Sequence, residues 1–201
     1  DQIPHLEMTR EVARRFNQIY CGVDSHTDDK DYVKAGGLLP LFETKLGRVK
    51  RLVGTGGPTE DGRLLKMSKS LNNAILISDS PDIIKKKVMS MYTDPNRLRA
   101  TDPGTVKNNP LWVFHDTFNH DTQWVEETKE RYCAGTVGDV ECKKKLIEVL
   151  VELLKPMQER RAQYESDPQQ VLDVLRDGAE RANAVAEETL KAVKGVMKQL
   201  Y

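Results

Sequence analysis

From Asn109 to its end the chain offers almost nothing but helical periodicity, and this limits the fold more than any other feature of the sequence. Helices are expected over roughly 110–119, 122–132, 139–165 and 168–199. Asp167 is placed to cap the last of these, with Pro168 at its first position. On that helix Leu172, Leu175, Ala179, Ala182, Ala186, Leu190, Val193 and Met197 keep one apolar stripe, expected to be core. A chain with so long a helical half cannot be an all-β protein.

The first half reads differently. Ile3, Leu6, Val12, Phe16, Ile19 and Tyr20 recur at helical spacing, so a helix is expected from about Gln2 to Tyr20, stopping near Cys21-Gly22. A polar loop follows over 24–32. Arg48 to Val53 suggests a buried strand ending at Gly54, and 54–63, rich in glycine, reads as a flexible loop. Ser80-Pro81 opens a short helix through Ile83, Ile84, Val88 and Met91, and Thr93 to Asn109, with two prolines, is a connector. The composition changes across 95–109, so the boundary between an α/β part and an all-α part is expected there. The chain opens without methionine and enters a helix at once, which reads as part of a longer protein.

Composition removes some possibilities without naming a function. There is no run of about 20 apolar residues of the kind a membrane span requires. Cys21, Cys133 and Cys142 lack paired metal spacing and read as reduced thiols. None of the four histidines has the spacing of a metal site, and structural roles are favoured. Residues 1–100 carry 17 basic and 13 acidic side chains, and residues 101–201 carry 14 and 18. A nucleic-acid partner would therefore be held by local patches rather than by a general basic excess.

The chemistry concentrates in Lys66-Met67-Ser68-Lys69-Ser70. Two ammonium groups three residues apart, interleaved with hydroxyls, can converge on one polyanion if the backbone turns once. Lysine is a compact cation on a flexible stem, suited to phosphate oxygens whose charge changes during a reaction. A glycine-rich approach would let the pair close over a triphosphate and release pyrophosphate. By composition alone the segment also suits an ordinary solvated loop.

This string is identical to the signature loop of class I aminoacyl-tRNA synthetases. Asp1-Gln2-Ile3-Pro4-His5-Leu6-Glu7-Met8-Thr9-Arg10 resembles a segment of the tryptophanyl-tRNA synthetase family. So do Lys87 to Pro95, Asn109 to Asp116, Gly138 to Lys144 and Pro156 to Arg161. The resemblance runs over essentially the whole chain, most weakly at 22–35 and 55–65. It implies the second part of a Rossmann-like catalytic domain over 1–95, including the signature loop, and a helical anticodon-binding region over 96–201, predominantly helical overall.

The resemblance further implies an ATP-dependent ligase that activates L-tryptophan and transfers it to its tRNA. Such an enzyme would be cytoplasmic and homodimeric, using ATP with Mg2+ and no prosthetic group. Lys66 and Lys69 would be the main pyrophosphate contacts. Asp1, Leu52, Met67, Ser68 and Ser70 would complete the ATP site, and Gln2 would meet tryptophan. Lys143, Lys144, Arg160 and Arg161 become candidates for tRNA contact. The family's first signature, a His-x-Gly-His-type helix start, is not in this sequence, nor is the acidic residue that reads the indole nitrogen. The chain by itself is therefore expected to be inactive. The alternative is a truncated paralogue acting as an RNA-binding or regulatory module.

Overall fold

The middle helices begin at side chains that satisfy their own first amides. Ser80 Oγ accepts from Ile83 N–H at 3.4 Å, Asn109 Oδ1 from Leu111 N–H at 3.1 Å, and Asp121 Oδ1 from Trp124 N–H at 3.0 Å. In the first two cases proline follows the cap, where its missing N–H costs nothing. The computed structural model describes residues 2–49, 51–99 and 101–199. Its elements are α1 (Ile3–Cys21), a 3-10 turn (Asp29–Asp31), β1 (Val53–Pro58), β2 (Leu64–Lys66), α2 (Pro81–Met89), α3 (Pro110–Phe118), α4 (Thr122–Cys133), α5 (Asp139–Ser166) and α6 (Pro168–Val196). The predominantly helical architecture read from the sequence is the one found, 56% helix with one small sheet.

The chain forms two compact units, Arg48–Asp167 and Asp1–Gly47 with Pro168–Tyr201. In the first, α5 turns Cys142, Leu146, Leu150 and Leu154 inward, one residue per turn. They meet Ile84 and Val88 of α2, Leu111, Trp112 and Phe114 of α3, and Tyr132 of α4. This core passes through residues 95–96 without a break, because the connector is pinned by a buried polar cluster. Arg97 lies 4.2 Å over the Tyr132 ring, pairs with Asp139 at 3.2 Å and donates to the Val137 carbonyl at 2.8 Å. Tyr132 hydroxyl donates to Asp139 Oδ1 at 2.8 Å.

In the second unit the only buried residue of α1 is polar. Asn17 Oδ1 accepts from the amides of Leu38 and Leu39, at 2.9 and 3.0 Å, and its Nδ2 donates to the Leu39 carbonyl at 2.6 Å. Arg14 forks onto both oxygens of Asp29 at 2.8 Å. The polar loop after α1 is thus tied down by side chains. α1 ends where expected, at Gly22 with φ 69°.

Two expectations are corrected. The strand begins at Val53, where it was expected to end, and runs through the glycines to Pro58, antiparallel to Leu64–Lys66. Hydropathy favoured 48–53, but pairing decides. Thr55 N–H donates to Asn73 O and Thr55 O accepts from Tyr92 N–H, both at 3.0 Å, so β1 is bonded on its other edge as well. The glycines make this possible, since a Cβ at Gly54 would overlap the Asn73 carboxamide and one at Gly57 the Tyr92 ring. The second correction concerns α6, which buries no residue; Leu175 is 62% exposed. Its stripe is amphipathic but is not core, because no described residue covers it.

Candidate active site

β2 delivers Lys66 to the rim of the Arg48–Asp167 unit, and the chain then turns back on itself within a few residues. Asn72 N–H donates to Lys69 O at 3.1 Å, and Asn72 takes φ 49°, a left-handed conformation that asparagine tolerates better than most residues. Asn73 then reaches back along the turn. Its Oδ1 accepts from Ser68 N–H at 2.8 Å and its Nδ2 donates to Lys66 O at 3.2 Å, so one carboxamide grips the backbone on both sides of Met67. Lys66 and Lys69 are both exposed, and the Ser68 and Ser70 hydroxyls lie 2.8 Å apart. Lys66 closes β2, and the turn that follows runs from Lys69 to Asn72.

Met67 is the half-buried member of the loop. It lines an apolar recess of about 240 Å3 together with Leu52, Ile75, Phe114 and Leu150. Leu52 and Met67, both expected at the ATP site, are thus brought together. The segment leading into α2 is held from below. Asp79 is buried, accepts from Leu76 N–H at 2.8 Å and pairs with Lys87 at 2.6 Å. Gln158 of α5 donates to the carbonyls of Ile77 and Asp79, at 3.1 and 2.9 Å. The strip of backbone that carries the lysines is therefore held at its far end.

The remaining expected residues are scattered. Asp1 lies outside the described residues. Gln2 is exposed, immediately ahead of α1, in the other compact unit. On α5, Lys144, Arg160 and Arg161 are exposed, and Arg161 pairs with Glu165 at 2.7 Å. Lys143 differs from the expectation. It is 3% exposed, and its ammonium donates to Met91 O at 2.7 Å, Thr93 Oγ1 at 2.9 Å and Met89 O at 3.2 Å. Burial holds its pKa below the usual lysine value. An ammonium used to cap the end of α2 is not presented to RNA. Among the described residues no three His, Cys, Asp or Glu side chains converge on a point.

Sequence reasoning passed over Asn72, Asn73, Gly54 and Gly57. The signal for the first two was present, since an Asn-Asn pair directly after the lysines can supply both a positive φ and a backbone-capping amide. No local pattern marks the glycines, because what requires them is the approach of side chains 19 and 35 positions away.

Residues 1–155 match the family model for tRNA synthetases class I (W and Y). The chain belongs to that family. It is 42% identical over 96% of its length to the tryptophan–tRNA ligase of Clostridium longisporum, and 43% over 98% to that of Treponema pallidum. It spans about half of these relatives, 52% of each. Among solved structures, the tryptophanyl-tRNA synthetase of Campylobacter jejuni complexed with ADP and tryptophan superposes with a TM-score of 0.65 at 26% identity, over 98% of this chain and 55% of that one. The enzyme of the archaeon Aeropyrum pernix shares the fold at a TM-score of 0.57 and 20% identity. No helix among the described residues is long and apolar enough to cross a membrane.

Proposed function

We propose that the chain is the phosphate-handling and tRNA-reading part of a tryptophan–tRNA ligase. The observation that carries this is the pair Lys66 and Lys69, both exposed and flanking Met67, which lines an apolar recess with Leu52, in a member of this family. The parent enzyme joins ATP, carried as its Mg2+ complex, to L-tryptophan, giving tryptophanyl-adenylate and pyrophosphate. A hydroxyl of the terminal ribose of its tRNA then attacks the adenylate carbonyl, forming the tryptophanyl ester and releasing AMP.

In the first step, negative charge gathers on the departing pyrophosphate. Lys66 and Lys69 meet that charge, and the hydroxyls of Ser68 and Ser70 donate to phosphate oxygens. The Leu52 backbone faces the adenine and Met67 packs against it, Asp1 serves the ribose and Gln2 the tryptophan. No covalent nucleophile is needed, because positioning and electrostatics carry the step. Functionally, residues 1–95 complete the catalytic domain, and 96–201 supply the anticodon-facing helices, with Lys144, Arg160 and Arg161 as RNA contacts. The working enzyme is a cytoplasmic homodimer.

The test is tryptophan-dependent ATP–pyrophosphate exchange. The full-length protein is expected to exchange with tryptophan and not with tyrosine, and the 201-residue chain alone is expected to show no exchange. Full-rate exchange by the isolated chain, or activation of another amino acid by the complete protein, would overturn the reading.

A further inference from the structure

The direction from which the exposed loop lysines approach a nucleotide depends on how the backbone beneath their stems is held. We infer that Asn73 is the positioning residue of this loop, and that it acts on the activation step alone. This rests on the ligase reading above and adds a residue which that reading does not contain.

Three contacts converge on Asn73. Its Oδ1 takes the Ser68 amide at 2.8 Å, its Nδ2 gives to the Lys66 carbonyl at 3.2 Å, and its own carbonyl takes the Thr55 amide of β1 at 3.0 Å. One residue therefore ties both ends of the Lys66–Ser68 backbone to the sheet. The half-buried carboxamide packs against Gly54, where no side chain would fit. The preceding turn, closed by Asn72 N–H to Lys69 O, brings the second lysine back towards this clamp.

What Asn73 holds is the backbone from which the lysine stems leave. Alanine at 73 would release Lys66 O and Ser68 N–H together without adding bulk. Aspartate would keep the acceptor for Ser68 but set an oxygen against the Lys66 carbonyl. Alanine at 54 would push the carboxamide out of its seat while leaving Asn73 intact.

Because the loop meets charge that develops only as pyrophosphate leaves, its misplacement should lower kcat for activation more than it raises KM for ATP. Transfer from preformed adenylate to tRNA involves no departing pyrophosphate and should be spared. A general folding lesion would lower both steps together, which separates it from a positioning role.

The experiment uses the full-length protein and its Asn73→Ala, Asn73→Asp and Gly54→Ala variants. It measures tryptophan-dependent ATP–pyrophosphate exchange, with kcat and KM for ATP resolved, and single-turnover transfer from isolated tryptophanyl-adenylate to tRNA. Each variant is expected to lose about tenfold or more in exchange kcat, with KM for ATP and the transfer rate within about threefold of the parent. The inference is overturned if exchange is unchanged in Asn73→Ala, or if exchange and transfer fall in parallel in all three. A parent protein with no tryptophan-dependent exchange would instead defeat the ligase reading itself, so the two failures are distinct.

Discussion

His115 shows how far one side chain's role can depart from its residue type. It is fully buried, with the tilted rings of Trp112 and Trp124 packed against it, and both ring nitrogens are used by the neutral form. Nε2 donates to the Cys142 carbonyl at 3.1 Å, and Nδ1 accepts from Asn119 Nδ2 at 3.3 Å. Burial lowers its pKa to about 4. The unfolded chain therefore takes up this proton first as pH falls, and stability should drop between about pH 6.5 and 4, by on the order of 3 kcal/mol. Urea unfolding of the chain at pH 7.5, 5.5 and 4.5 checks this, with His115→Gln expected to flatten the dependence; equal slopes in parent and variant would contradict it. The sequence assigned the histidines structural roles, which suits this environment. It could not separate Lys143 from Lys144 and Lys145, although the spacing held a clue. Lys143 stands three residues before Leu146 and seven before Leu150, on the inward stripe of α5, where a long stem can bury itself if carbonyls receive the ammonium.

For whole elements, capping chemistry was the most legible part of the sequence. Ser80 and Gly22 were read because each acts on amides or carbonyls only a few residues away, and the caps at Asn109 and Asp121 act over the same short range. The β1–β2 hairpin was not legible, since its glycine-rich strand is stabilised by Asn73 and Tyr92, partners that no local window contains. α6 failed for another reason: an apolar stripe says which face is amphipathic and nothing of what covers it. α5 and α6 therefore predict opposite responses to the same substitution. Leu146→Ala, at a fully buried position, should cost about 2–5 kcal/mol, whereas Leu175→Ala should change the stability of this chain by less than about 1 kcal/mol. Denaturant midpoints of the two variants decide it, and a comparable loss at Leu175 would show that the stripe is packed after all.

Across the whole molecule, one continuous core holds the signature loop, α2 and the helices α3 to α5 together, although the sequence changes character midway through it. A composition shift marks where strand-like and glycine-rich segments give way to helices; it does not mark where packing stops. The synthetase class was legible because it is carried by a short string whose chemistry fixes its spacing, and the family because further segments from Asp1 to Arg161 resemble it. The clamp that aims the string was not, because it shows only once the backbone has turned. The account stands on Lys66 and Lys69 meeting charge on the departing pyrophosphate. The most direct measurement is tryptophan-dependent ATP–pyrophosphate exchange by the full-length protein with both lysines replaced by alanine. Exchange is predicted to fall by about a hundredfold or more; an unchanged exchange rate would contradict it.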